Sequence, residues 1–233
     1  MSKEKFKTEH GVFDEFTSQT LFKLSTEGLF HYLVSPISIG KESNVFAAQT
    51  TEGTFVAVKI YRLENCDFNR MYDYIKFDPR FTGLLKRRRK VIFAWAKREY
   101  RNLLLAREAG VACPTPLSFK NNVLVEEFIG DTSAAPRLTN AKPKNPGVFF
   151  KKIIKDITLM YQNNLTHGDL SAYNILNYKE KPILIDFSQA TLSKSQRFEE
   201  LFERDVRIVC THFQKLGIDA DYEKVINSIR QRA

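Results

Sequence analysis

The chain has 233 residues, 36 Lys plus Arg against 27 Asp plus Glu for a formal charge of +9, and 43% apolar residues, a mixture that excludes a disordered or fibrous chain. Its length suits one domain of two lobes or two small domains with a sizeable core, and no apolar run nears the roughly 18 residues of a membrane span, so no membrane partner is expected. The N-terminus reads polar, unlike a signal peptide, and three scattered cysteines (Cys66, Cys113, Cys210) argue against a disulfide framework or zinc site and point to a reducing cytoplasmic compartment.

Val12, Phe13, Phe16, Thr20, Leu21 and Leu24 fall near helical spacing and predict a short amphipathic helix. Phe46–Thr50 and Phe55–Tyr61 read as strands joined by the turn Thr51-Glu52-Gly53-Thr54. Residues 63–90 have no sustained period and read as a partly mobile insertion ending in the basic run Lys86–Lys90. A long helix is expected from about Lys90 to Ala109, stopped by Gly110. Val123–Phe128 is a strand, Asp131–Gly147 a proline-bearing linker, and Val148–Asn163 a second long helix. A loop over 165–174 and the strand Pro182–Phe187 follow, and Phe198, Leu201, Phe202, Asp205, Val206, Val209, Cys210 and Phe213 step as a helix. Strands with one helix fill the first half and helices most of the second, so two lobes with a ligand cleft are expected, dividing near Gly130.

The strongest chemical signal is His167-Gly168-Asp169-Leu-Ser-Ala-Tyr-Asn174, followed by Asp186-Phe187 at the end of an apolar strand. An Asn and an Asp that supply oxygen to a hard cation make a Mg²⁺ site that also holds phosphate oxygens, and a second Asp can orient a hydroxyl or water for in-line attack. Read singly, the same residues could be a capped loop and a strand end. Lys59 lies inside the apolar run Val56-Ala-Val-Lys-Ile, where a cation is costly unless an anion pairs with it. Glu99 shares a helical stripe with Ile92, Trp95, Ala96 and Leu103 and is a suitable partner, as a phosphate-aiming pair or as a plain salt bridge. Ser38, Gly40, Lys41, Ser43 and Val45 form a segment with small residues at three positions, 19 residues before Lys59 at Gly40, which could bring backbone N–H groups to phosphates or be an ordinary turn.

Together these elements resemble the protein-kinase signature: a small-residue loop ending in Val, V-A-x-K, a helix Glu, H-x-D-x-x-x-x-N and D-F-x. The departures are a loop with one Gly, Gly168 for the Arg of H-R-D, Ser188 for the Gly of D-F-G, and no A-P-E, with only 45 residues after Ser188. That pattern is similar to the RIO family of atypical kinases. The strings Gly-Lys-Glu-Ser-Asn-Val-Phe, Trp-Ala-Lys-Arg-Glu-Tyr-Arg-Asn-Leu, His-Gly-Asp-Leu-Ser-Ala-Tyr-Asn-Ile-Leu and Ile-Asp-Phe-Ser-Gln-Ala resemble its type-1 branch, over about Phe13 to Phe213. No winged-helix domain precedes the core, as type 1 rather than type 2 implies.

The resemblance implies an α+β, two-lobed protein-kinase-like fold: an N-terminal helical extension (1–30), an N-lobe antiparallel sheet with one long helix (31–129) carrying a flexible insertion (64–88), and a reduced, mainly helical C-lobe (130–233). It implies ATP with Mg²⁺, or Mn²⁺ in its place. Lys59 would contact the phosphates, with Ser38, Gly40, Lys41, Ser43 and Val45 around them and Glu99 holding the lysine. The backbone of Glu127 and Ile129 would hydrogen-bond adenine, Asp169 would act as catalytic acid/base, and Asn174 and Asp186 would bind metal. Asp186 is also a candidate for an aspartyl-phosphate. The implied activity is an autophosphorylating serine/threonine protein kinase, an ATPase, or both, acting on the pre-ribosomal small subunit and its RNA and proteins. Lys86–Lys90 could meet RNA phosphates or simply be a solvated helix start. A small-molecule phosphotransferase of aminoglycoside or choline kinase type, and an ATP-binding scaffold on the ribosome, are the alternatives. Oligomeric state is not legible.

Overall fold

The computed structural model describes residues 13–64 and 66–232; Val12 and the rest of the expected N-terminal extension before it lie outside the described residues. The described residues form two compact units. The first comprises residues up to Lys76, Phe81–Tyr100 and Pro116–Phe128, and the second comprises Phe77–Arg80, Arg101–Thr115 and the chain from Ile129 onward.

In the first unit, α1 (Glu15–Thr26) starts where the Asp14 side chain accepts from the Thr17 N–H at 3.0 Å, an N-cap that satisfies one orphan donor of the helix. Strands β1 (Tyr32–Ile39), β2 (Ser43–Gln49), β3 (Phe55–Tyr61), β4 (Pro116–Lys120) and β5 (Val123–Glu127) build an antiparallel sheet in the order β1-β2-β3-β5-β4. Leu21 and Leu24 of α1 pack with Val56, Val58, Val123 and Val125 on the sheet. β3 is central and almost wholly buried, whereas β1 is an exposed edge that accommodates Pro36 with register shifts on either side of Ser35 and Pro36.

Three elements of this unit were not expected from the sequence. Two are the strands β1 and β4. The third is α2 (Phe68–Ile75), inside the segment read as a partly mobile insertion. Asp67 caps it, and Met71 and Ile75, one turn apart, bury against Tyr61, Val91, Ile92 and Trp95. Eight residues hold too few turns for a period to stand out among the aromatics and charges around them. Helix α3 (Arg88–Glu108) follows.

The second unit holds α4 (Pro146–Gln162), α5 (Phe198–Gln214), α6 (Tyr222–Gln231) and the short antiparallel pairs β6 (Leu165–Thr166) with β9 (Thr191–Leu192) and β7 (Ile175–Tyr178) with β8 (Lys181–Leu184). Phe149 and Phe150 of α4 meet Phe213 of α5, and Tyr161 meets Phe198 and Phe202. The division departs from the expected break near Gly130, because 77–80, 101–115 and Ile129 group with the second unit. Residues 101–115 do so because the chain after α3 is bonded into it: Leu184 N–H donates to Ala112 O at 2.8 Å, and a Cβ on Gly110 would touch Leu159. The last expected strand is also shorter than read. β8 ends at Leu184, and Asp186 turns into the left-handed region (φ 65°, ψ 68°) before a single 3-10 turn, Phe187–Gln189.

Candidate active site

In the first unit, Lys59 sits in the middle of β3, opposite Val45 on one side and Leu124 on the other. It is 4% exposed, and Glu99, at 1%, lies on the buried stripe of α3. Lys59 Nζ donates to Glu99 Oε1 at 2.7 Å. The other carboxylate oxygen, Oε2, accepts from the Tyr61 hydroxyl, and the lysine ammonium lies 5.4 Å from the Tyr61 ring centroid. Tyr61 went unnoticed in the sequence; it lies two residues after Lys59 in β3, so the two side chains share a face of the strand. Asn122 fixes Tyr61 in turn: Tyr61 N–H donates to Asn122 O at 2.8 Å, and Asn122 Nδ2 donates to Tyr61 O at 2.8 Å and Thr17 Oγ1 at 3.0 Å.

The small-residue segment is the β1–β2 hairpin. Ser38 pairs with Val45 across it, Gly40, Lys41 and Glu42 form the turn, and Ser43 opens β2. Gly40 N–H donates to Ser43 O at 3.0 Å, and a Cβ at Gly40 would lie 2.9 Å from that oxygen, so the tight turn requires glycine. Glu127 closes β5 opposite Val56 and is exposed. Ile129 belongs to the second unit, and its carbonyl accepts from Ala135 N–H at 2.8 Å.

In the second unit, the loop after β6 carries His167, Asp169 and Asn174. Asn174 Nδ2 donates to Asp169 O at 2.8 Å and lies 3.4 Å from Asp169 Oδ2. With its amide nitrogen turned to Asp169, Asn174 has its side-chain oxygen as the remaining acceptor for a cation. Ile185 N–H donates to Asn174 O at 3.0 Å, so the residue before Asp186 is bonded to Asn174 itself. Ser188 Oγ donates to Asp186 Oδ1 at 2.7 Å, which orients that carboxylate. Among the described residues no three His, Cys, Asp or Glu gather into a closed metal site. One carboxylate and one amide oxygen instead fit a hard cation that keeps waters and takes substrate phosphates as its other ligands, as Mg²⁺ does.

The loop is held from beneath by Asp205 on α5, a residue to which sequence reading assigned no role. Its Oδ2 accepts from Gly168 N–H at 2.6 Å and Thr166 Oγ1 at 3.2 Å, and its Oδ1 from Leu170 N–H at 3.0 Å. Burial pushes the Asp205 carboxyl above the usual carboxylate range, against the opposing pull of His167 and the two backbone donors. An acid at a core-facing step of α5 was the available signal. His167 is fully buried, its Nε2 lies 3.0 Å from Ile185 O, and its ring packs on Phe187 with centroids 4.7 Å apart. With a carbonyl as partner, Nε2 bears the proton.

Gly168 explains one departure from the kinase pattern. Its φ is +77°, and a Cβ there would lie 2.6 Å from Gln189 O and 3.2 Å from Gln189 C. No side chain fits, so the arginine of H-R-D has no place in this loop.

The comparisons with known proteins agree with these features. The model of the RIO domain matches residues 44–225. The chain is 37% identical over 219 residues to the RIO-type serine/threonine-protein kinase Rio1 of Haloferax volcanii, covering 94% of this chain and 76% of that protein. It is 36% identical over 229 residues to the protein of the same name from Methanocaldococcus jannaschii, covering 97% and 78%. Among solved structures, the ADP/Mg²⁺-phosphoaspartate complex of the Rio2 kinase from Chaetomium thermophilum superposes with a TM-score of 0.67 at 19% identity, over 88% of this chain and 64% of that one. That likeness is one of fold, an α+β kinase-like fold. With four-fifths of the described chain inside the domain match and near-complete alignment to both archaeal proteins, this chain belongs to the RIO-domain family.

Proposed function

We propose that the protein is a Mg²⁺·ATP-dependent phosphotransferase, a serine/threonine protein kinase of RIO type. The observation that carries the reading is the hydrogen-bonded frame in the second unit, where Asp169, Asn174 and the residue before Asp186 are tied together by three contacts. Bound Mg²⁺ neutralises charge on the phosphates during transfer. Asn174 and Asp186 supply its protein oxygens, and Mn²⁺ would fit the same donors. Asp169 accepts the proton of the attacking hydroxyl. Lys59, aimed by Glu99, binds phosphate oxygen, and the hairpin around Gly40 offers backbone N–H groups to the same phosphates, with Ser38, Lys41, Ser43 and Val45 flanking it. Adenine would take the backbone N–H of Ile129, whose carbonyl is committed to Ala135, together with the carbonyl of Glu127.

A second reading, ATP hydrolysis through a phosphorylated Asp186, is favoured by the Rio2 structure described as a phosphoaspartate complex. In it, an Asp186 oxygen forms a bond to the γ-phosphorus as the bond to the β-phosphate oxygen breaks and ADP leaves. Water then cleaves the acyl phosphate, returning the carboxylate and releasing phosphate. The partner proposed is a precursor of the small ribosomal subunit, in keeping with the +9 charge and the five exposed cations Lys86–Lys90. A cytoplasmic location accords with three buried cysteines that form no disulfide among the described residues.

Labelled ATP with Mg²⁺ tests the proposal. Phosphate should move to the protein itself, to a serine/threonine acceptor, or to water. Asp169→Asn should lose about 10²–10⁴ in rate to a hydroxyl acceptor, and Asp186→Ala should abolish metal-dependent turnover. No transfer and no phosphate release, with or without small ribosomal subunits, would refute it. Acid-labile, hydroxylamine-sensitive label absent from Asp186→Ala would favour the second reading.

A further inference from the structure

The turn that follows Asp186 is weakly held by its own backbone. Asp186 is a non-glycine residue at φ 65°, a conformation that must be imposed from outside, and the 3-10 turn after it closes on Ala190 N–H to Phe187 O at 3.1 Å. The outside support comes from Asn102, on α3, which is fully buried. Its Nδ2 donates to Phe187 O at 2.8 Å and to Ala190 O at 2.9 Å, bridging the two ends of the turn. Its Oδ1 accepts from Arg80 Nη2 at 2.8 Å. Arg80 is itself immobilised, because Asp78 accepts from its backbone N–H at 3.1 Å, from Nε at 2.9 Å and from Nη2 at 2.6 Å.

The chemistry of these groups fixes the amide's orientation. Two carbonyls can only accept, so they require the NH₂ of Asn102. A guanidinium can only donate, so it requires the oxygen. Arg80 therefore selects the one amide orientation that holds the turn. Asp78, Arg80, Asn102, Phe187 and Ala190 all belong to the second unit, although Asp78 and Arg80 come from a segment more than a hundred residues before the turn.

We propose that Asn102 is a positioning residue for the turn bearing Asp186, and that Asp78 and Arg80 form a latch that sets its amide. The functional half of this inference rests on the assignment of Asp186 as a metal ligand under Proposed function. The latch itself rests only on the hydrogen bonds above. With the latch closed, the Asp186 carboxylate stays where Ser188 orients it. With it open, the turn samples other conformations, and metal binds to a fraction of molecules.

Two readouts on the full chain test the proposal. The first, amide hydrogen exchange of the peptide spanning 185–192 without nucleotide, is independent of activity. Loss of a charge-assisted bond should speed exchange there by about tenfold in Arg80→Ala and in Asn102→Ala. The second is the Mg²⁺ concentration for half-maximal turnover at saturating ATP, which should rise about three- to tenfold in both. Because both act through one amide, the double variant should match Asn102→Ala rather than multiply the two effects. Asn102→Asp keeps a partner for Arg80 but loses the NH₂, and should behave like Asn102→Ala. If Asn102→Ala does not fold, Arg80→Ala alone decides, since Arg80 is partly exposed. Unchanged exchange in Arg80→Ala overturns the latch. Faster exchange with an unchanged Mg²⁺ requirement overturns the positioning role. Unimpaired metal-dependent turnover in Asp186→Ala would sink the earlier site assignment and leave the exchange result standing.

Discussion

Glu99→Gln tests the physical core of the first unit with the least change of shape. Lys59 and Glu99 are 6% and 1% exposed at their side chains and 2.7 Å apart. At an effective dielectric of about 20 their attraction is ~6 kcal/mol, but desolvating two ions offsets most of it. The pair's net contribution is therefore small, while loss of one partner is costly, because the buried ammonium then loses the Glu99 carboxylate 2.7 Å away. That asymmetry puts Glu99→Gln at about 3–5 kcal/mol of destabilisation, a large share of the ~5–15 kcal/mol that holds a typical domain. Replacing the whole cluster should behave differently. Lys59→Met/Glu99→Met/Tyr61→Phe removes the three polar side chains together, the Tyr61 hydroxyl that donates to Glu99 included. This triple variant should lie within about 2 kcal/mol of the parent, or above it, and have no phosphotransfer activity.

Urea unfolding followed by tryptophan fluorescence reads this directly, since the chain has one Trp and Trp95 lies one turn from Glu99 in the same unit. With a slope of ~2–3 kcal/mol per molar urea, Glu99→Gln should lower the midpoint by about 1–2 M and the triple variant by under ~1 M. A single variant as stable as the parent, or a triple variant worse than the single, would refute the reasoning.

Asp156, on α4, accepts from Ala112 N–H at 3.5 Å, and burial raises its carboxyl from 3.8 to about 6. The folded chain then binds this proton more tightly than the unfolded chain. The contribution is full below about pH 4 and is lost as pH rises through about 6, on the order of 3 kcal/mol in all. Asp156→Asn should therefore melt higher than the parent at pH 8 and with it at pH 4; equal melting at both would contradict the burial argument. Gly168→Ala places a Cβ against Gln189 O in a backbone region that disfavours it, and should cost ~2 kcal/mol or more and slow turnover. Thermal unfolding matching the parent would show that the loop yields freely. Asp205→Asn turns an NH₂ toward one of the donors that the carboxylate now satisfies, Gly168 N–H or Leu170 N–H, and should cost about 1–3 kcal/mol, read by thermal melting. No loss would mean that the loop does not depend on α5.

What was legible in the sequence was periodic. α1, α3, α4 and α5 showed as stripes, β3 and β5 as apolar runs, and the kinase-like motif set as residue types at fixed spacing. β1 escaped because an edge strand is exposed along most of its length and tolerates Pro36, so it has neither alternation nor continuity to read. α2 escaped because its two buried residues span a single turn. The end of β8 was misplaced because hydrophobicity continues through Ile185 and Phe187 while the backbone turns at Asp186, and backbone handedness leaves no trace in an apolar count. The break between the units was misplaced for a similar reason: α3 continues without interruption in sequence, although its residues from Arg101 onward group with the second unit.

The supporting residues follow a different logic. Glu99, Asn102 and Asp205 are polar groups at core-facing positions of helices, and all three are at most 1% exposed. Burial of such groups is unfavourable unless each finds partners that secondary structure has left unsatisfied. Here those partners are the lysine of a central strand, the carbonyls of the turn after Asp186, and the N–H groups of the loop bearing Asp169. Irregular backbone cannot satisfy its own hydrogen bonds, and the chemistry in this fold sits on irregular backbone. A helix that crosses the core beneath such a segment must therefore break its apolar stripe where the segment needs a donor or an acceptor. The residue type at that break says which: an acid under N–H groups that secondary structure leaves unsatisfied or under a cation, an amide under carbonyls.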